Sequence, residues 1–117
     1  ALAARDEQNL VQLIKPLRSE FEAPNAKFVV ATLGQTPKDI QPTTNRQQND
    51  KMILDAQLAV AGAAGKYPEF QGNVATVYTH PMSQGGASSA HYNKNAQVYM
   101  DVGMAMGEAM LELHKKD

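Results

Sequence analysis

Cysteine is absent from all 117 residues of this chain. Its absence excludes disulfides, thiolate metal ligands and a thiol nucleophile together. It leaves the compartment open, because cysteine-free chains occur in the cytosol and outside it. An excess of charge is missing too: 11 Lys and Arg stand against 12 Asp and Glu, for a net charge of -1. No basic run is longer than Lys115-Lys116, so nothing matches a phosphate backbone or an anionic bilayer, and neither nucleic acid nor membrane is expected as a partner. The longest apolar stretch, Leu58 to Ala64, is alanine-rich and far too short to span a bilayer. The first residues carry no basic region followed by an apolar one, which says nothing about export if the sequence is a piece of a longer protein. Also missing are a Gly-Asp-Ser block and a Gly-x-Ser-x-Gly elbow, the two common settings of a serine nucleophile in α/β hydrolases.

What is present is a periodicity that changes along the chain. From Ala1 to Phe21 the residues Leu10, Leu13, Ile14, Leu17 and Phe21 fall on one face of a helix. Pro16 lies inside that pattern and predicts either a bend or a shorter helix. Ala23-Pro24-Asn25 is a stop. Lys27 to Leu33 reads KFVVATL, a β-branched run of strand length that predicts a strand buried on both faces. Gly34 to Gln48 is polar, contains two prolines and reads as a long loop. Asn49 or Asp50 is a plausible N-cap for a second helix, reaching about Ala64 with Ile53, Ala56, Val60, Ala61 and Ala64 on one stripe. Gly65 would end it. Asn73 to Thr79 reads as a second strand, and Pro81 to Ala90 as a Gly/Ser-rich loop. Asn93 or Asn95 would cap a third helix ending near Leu113, with Ala96, Tyr99, Met100, Gly103, Met106, Gly107 and Met110 as its inner face. Gly103 and Gly107 would let that helix approach a sheet closely.

The predicted order is α-β-α-β-α, and strands alternating with amphipathic helices imply parallel pairing. Two strands alone make a poor sheet. Both read as central strands, since neither carries the charge or proline that guards an edge. The chain is therefore expected to be a single partial α/β domain over residues 1–117, lacking neighbours that would complete it.

The most informative stretch is Ala90-His91-Tyr92-Asn93, between the Gly/Ser-rich loop and the last helix. A histidine in a loop after a strand and before a helix is where several α/β hydrolases keep a general base. Taken alone, His91 is more often a loop residue bonded to its own turn. The run from Gly72 to Leu113, with VATVYTHP, GGASSAHYN and QVYMDVGMAMGEAM, resembles the C-terminal part of SGNH-type carbohydrate esterases. The branch with sialic-acid O-acetylesterases and acetylxylan-esterase-related proteins is the nearer one. LVQLIKPLRSEF, KFVVATLGQ and MILDAQLAVA agree with that family's earlier elements, so the resemblance covers the whole chain.

The resemblance implies a three-layer α/β/α, flavodoxin-like fold, and removal of acetyl groups from sugars by a serine nucleophile with no cofactor and no metal. It implies that His91 is the catalytic base, deprotonating the serine and then protonating the leaving sugar hydroxyl, work suited to an imidazole that titrates near neutrality. The family's Gly-Asp-Ser and Gly-Glu-x-Asp blocks would lie upstream of Ala1. Ser88 and Ser89 stand where the family often has an acid that orients the histidine, so a backbone carbonyl or an acid elsewhere holds the ring. Gly34, Gln35, His80 and Tyr92, from the loops after the two strands, are the expected substrate-binding residues. Export, to the periplasm or outside the cell, is a further implication.

Other candidates have plainer explanations. His80 sits at a strand exit, where parallel sheets bind ligands, but Thr-His-Pro is also an ordinary exit. No spaced carboxylate completes a metal site with His80 and His91. His114 lies in the last turn of a helix, where a cation meets the dipole. Ser83, Ser88 and Ser89 read as loop polar groups, Gly85-Gly86 is too little for a phosphate cradle, and Gln57 reads as a structural hydrogen-bonder. Met100, Met104, Met106 and Met110 read as adaptable core filler. Two function classes remain: the histidine-bearing part of a carbohydrate O-acetylesterase, inactive alone, whose partners are an acetylated carbohydrate and a missing N-terminal half; or a non-catalytic α/β module that binds a partner or forms a homo-oligomer.

Overall fold

The computed structural model describes residues 2–83 and 91–117. A short 3-10 turn (Ala3–Arg5) leads into α1 (Asp6–Glu20), followed by β1 (Phe28–Ala31), α2 (Asn45–Ala59), β2 (Val74–Val77) and α3 (Ala96–His114). The order is the expected α-β-α-β-α. The two strands pair in parallel, with Phe28 opposite Val74 and Ala31 opposite Val77. The molecule is an α/β domain built on this two-stranded parallel sheet.

α1 ends where the sequence predicts, by a mechanism the sequence does not announce. Ala23 N donates to Arg18 O at 2.8 Å and Glu22 N to Ser19 O at 3.2 Å, the paired bonds of a Schellman motif. Glu22 takes the left-handed position with φ 49°, a place usually given to glycine. Pro16 lies within α1, and the helix continues through it.

Its inner face keeps Leu10 and Ile14 of the predicted stripe but is rotated away from the rest of it. Val11, Ile14 and Arg18 are buried, whereas Leu13, Leu17 and Phe21 face solvent. Val11 and Ile14 form the core with Val60, Phe70 and Val74, flanked by Leu10, Phe28, Val30 and Tyr67. Alternation along the strands gives Phe28, Val30 and Val74 to this side of the sheet. Arg18 is part of the structure beside that core. Its Nη2 donates to Ala26 O at 2.7 Å and to Asn73 Oδ1 at 2.8 Å, and its guanidinium lies 5.4 Å from the Phe28 ring centre and 5.6 Å from that of Phe70. A buried cation is tolerable when its donors are satisfied and its planar faces stack on aromatics. Burial lowers the Arg18 pKa. Gly62 is required where the chain doubles back, because a Cβ there would stand 2.7 Å from the Phe70 carbonyl carbon and 2.8 Å from Gln71 Cα.

α2 begins earlier than expected, inside the segment read as loop. Thr44 is its N-cap, with Gln47 N donating to Thr44 Oγ1 at 3.2 Å, and Gln47 Oε1 reaches back to accept from Thr43 N at 2.8 Å. Thr-x-x-Gln is a capping-box pattern, and it outweighs the lone Asn49 or Asp50. Leu54, Ala56 and Val60 are its buried residues, so the stripe runs through Leu54 rather than Ile53. Gly65 is left-handed as predicted, but it closes a 3-10 turn (Gly62–Ala64) beyond the helix.

β1 is half-buried along its length rather than buried on both faces, and β2 is half-buried apart from the buried Val74. Among the described residues each pairs only with the other, so each keeps an unpaired edge. α3 is capped by Asn95, whose Oδ1 accepts from Gln97 N at 3.0 Å, and it packs along both strands. Its packed stripe is Val98, Val102, Ala105, Ala109 and Leu113, buried at the two ends and half-buried between. Of the predicted inner face, Met106 and Met110 are half-buried like the packed stripe, whereas Ala96, Tyr99, Met100, Gly103 and Gly107 are turned outward. Around a Cβ built on Gly103 or Gly107 there is nothing within 4 Å, and Met100 and Met104 are exposed rather than core filler.

Candidate functional site

Beyond the last paired residues, two threonines carry the sheet onward. Thr32 N donates to Val77 O at 3.0 Å, Thr79 N donates to Thr32 Oγ1 at 3.0 Å, and Thr79 Oγ1 donates to Thr32 O at 2.9 Å. Both threonines are buried, and this clasp fixes where each strand releases its loop. Gln57 of α2 fastens the same end from below: its Oε1 accepts from Leu33 N at 2.9 Å, and its main-chain oxygen accepts from Thr76 Oγ1 at 2.7 Å. Gln57 is thus the structural hydrogen-bonder that the sequence implies.

Just beyond the clasp, the two loops meet through His80 and Gly34. His80 Nδ1 donates to Gly34 O at 2.7 Å, since a carbonyl can only accept. His80 opens a 3-10 turn (His80–Met82), closed by Ser83 Oγ donating to Thr79 O at 2.8 Å. Gly34 is buried, and a Cβ on it would collide with Ser83 Oγ and the Tyr92 hydroxyl. Glycine is therefore what allows the two loops and Tyr92 to converge at the carboxyl ends of the strands. Tyr92 also meets the Tyr99 ring edge-on at 6.0 Å.

This convergence borders a cleft of about 520 Å³ lined by Gly34, Gln35, Thr44, Arg46, Gln47, Asp50, His80 and Ser83. Its position is the general one for ligands of parallel sheets. The structure brings Gly34, Gln35 and His80 together in its wall and sets Tyr92 against Gly34. Thr44, Arg46, Gln47 and Asp50 are additions that the sequence reading does not contain. The signal that could have found them is the capping box, which moves the start of α2, with Arg46 and Asp50, to the cleft.

His91 is exposed and does not occur among the described residues lining the cleft. It opens a left-handed turn in which His91, Tyr92, Asn93 and Lys94 have φ of 46°, 51°, 53° and 58°. Left-handed backbone costs roughly 1–2 kcal/mol per non-glycine residue, and such strain concentrates at functional sites. Asn95 N, donating to Tyr92 O at 3.1 Å, ties this turn to the start of α3. Ser88, Ser89 and Gly85-Gly86 lie outside the described residues. His114, in the last turn of α3, has its Nδ1 3.4 Å from Asp117 Oδ2.

Among the described residues no three His, Asp or Glu side chains gather as metal ligands, and no helix is long and apolar enough to cross a membrane. Comparison of the chain with protein-family models, with curated proteins and with solved structures finds no match.

Proposed function

We propose that this chain is the C-terminal, histidine-bearing part of a carbohydrate O-acetylesterase with an SGNH-like, three-layer α/β/α fold, with His91 as the base. The observation that carries the reading is the Tyr92 hydroxyl seated against Gly34. It brings the His-Tyr turn, the element in which the esterase resemblance is strongest, to the rim of a polar cleft at the strand ends. A base held on such a turn can meet a serine presented by a neighbouring strand-end loop. A serine hydrolase needs nucleophile, base and oxyanion donors together, so the chain alone is inactive, and the serine comes from a segment joined to it or bound to it. The same segment would cover the outward stripes of α1 and α3 and the open strand edges.

Joining the chain to a segment that carries a Gly-Asp-Ser block should restore acetate release from acetylated xylan or an O-acetylated sialic acid. A joined protein that folds cooperatively, keeps the serine and still releases no acetate contradicts the reading.

A second reading, a non-catalytic module that self-associates, rests on those same uncovered stripes. It requires a cooperative dimer in sedimentation and no acetate release in any joined form.

A further inference from the structure

The Gly34 carbonyl does more to His80 than hold it. A carbonyl accepts only, so Nδ1 carries the ring proton and Nε2 of the neutral ring is left with a lone pair. In free imidazole side chains the proton favours Nε2, and here the backbone selects the other tautomer. The ring is half-buried, its main chain is clamped by the Thr32–Thr79 clasp and the turn closed by Ser83, and it contributes to the cleft wall. Around it the wall offers Gln35, Gln47 and Arg46 as donors and Asp50 as an acceptor, with no aromatic or large aliphatic lining residue among those described. Such a wall offers hydrogen-bond donors and acceptors side by side, which is what a ligand rich in hydroxyl groups can use.

We propose that His80 is a specificity-determining residue of the cleft, whose Nε2 accepts a hydrogen bond from a hydroxyl of a pyranoside. The substrate class rests on the esterase reading. The role assigned to His80 is separate from that of His91: it binds a hydroxyl that does not react, and it is oriented by a backbone carbonyl 46 residues away in sequence. Two substitutions separate its two nitrogens. In His80→Asn the side-chain amide nitrogen would sit near the original Nδ1 and could still donate to Gly34 O, with nothing at the Nε2 position. In His80→Gln the longer amide would reach the Nε2 position and lose the bond to Gly34.

The test uses the 117-residue chain, with methyl β-xyloside as the probe. Nitrogen-15 NMR of the neutral ring should show a protonated Nδ1 and an unprotonated Nε2, and adding the probe should shift the Nε2 resonance. His80→Asn should keep the melting temperature and weaken probe binding about tenfold, the loss of one hydrogen bond. A ring protonated on Nε2, an Nε2 signal unmoved by the probe, or undiminished binding by His80→Asn at unchanged melting temperature would each overturn the proposal. If the asparagine variant unfolds, the tautomer and the probe shift in the unsubstituted chain decide. Failure here leaves His91-dependent acetate release untouched. A joined protein that binds the probe through His80 but releases no acetate would defeat the esterase reading alone.

Discussion

The two sides of the sheet are finished to different degrees. On the side of α1 and α2, Phe70, Leu54 and Val60 are wholly inaccessible and Ile14 nearly so, and Arg18 ties α1 to the loops that open both strands. α3, the longest helix at 19 residues, buries only Val98 and Leu113. Its opposite stripe leaves Met100 62%, Met104 62% and Leu111 63% exposed. α1 repeats the pattern outside its sealed face, with Leu13 54% and Phe21 73% exposed. Single exposed apolar residues are normal, but stripes at helical spacing on two helices are what an uncovered interface looks like. One core is closed within this chain, and the outer stripe of α3 leaves large apolar side chains open to solvent.

The sharpest break in that contrast is in the closed core. Phe70→Ala should cost about 3–5 kcal/mol in urea unfolding, as for other large buried aromatics. Arg18→Ala should follow at about 2–3 kcal/mol, because it leaves the Ala26 and Asn73 acceptors unpaired and empties the space between two rings. Losses as large as these from Met104→Lys would instead show α3 to be the sealed side.

The closed side should also carry the pH dependence. The Lys66 ammonium first, and the Tyr67 hydroxyl second, hold the Glu7 carboxyl below its ordinary value of 4.5. The Glu7 contact pushes the Tyr67 hydroxyl up from 10.0 to about 12. The depressed carboxylate contributes stability above its unfolded pKa and loses it as pH falls through the lower folded value. The raised phenol contributes fully below its unfolded pKa and loses it as pH rises through about 12. Melting temperature should thus decline at both ends, and Glu7→Gln should flatten both limbs; limbs unchanged in that variant would remove the contact from the account.

The smallest effects belong to α3. Gly103→Ala should stabilise the isolated chain by about 0.5–1 kcal/mol, since the added Cβ meets open space and helix propensity improves. Met104→Lys should change stability by no more than about 0.5 kcal/mol. In a joined protein whose additional segment covers this stripe, both substitutions become destabilising, and that reversal would mark where such a segment docks.

The order of elements is legible in the sequence because periodicity changes sharply at each boundary. So are the cap at Asn95, the left-handed turn at Gly65 (though not the end of α2 at Ala59) and the gathering of strand-end loops, which parallel topology dictates. The buried faces of α1 and α3 are not legible. Each helix has two apolar stripes, and periodicity selects the richer one, Leu13-Leu17-Phe21 or Met100-Gly103-Gly107, without knowing what lies opposite. Arg18 as a buried residue is hidden because its partner Asn73 is 55 residues away. The cleft contributions of Arg46 and Asp50 are hidden behind a capping box that sits in a proline-containing polar stretch, where a loop is the simpler reading.

The most direct test of the central claim is the rate of acetate release by the joined, serine-bearing protein with and without His91→Ala. The variant should fold normally and lose about 10⁴-fold or more in kcat, the scale on which triad members act. Undiminished turnover in His91→Ala would contradict it.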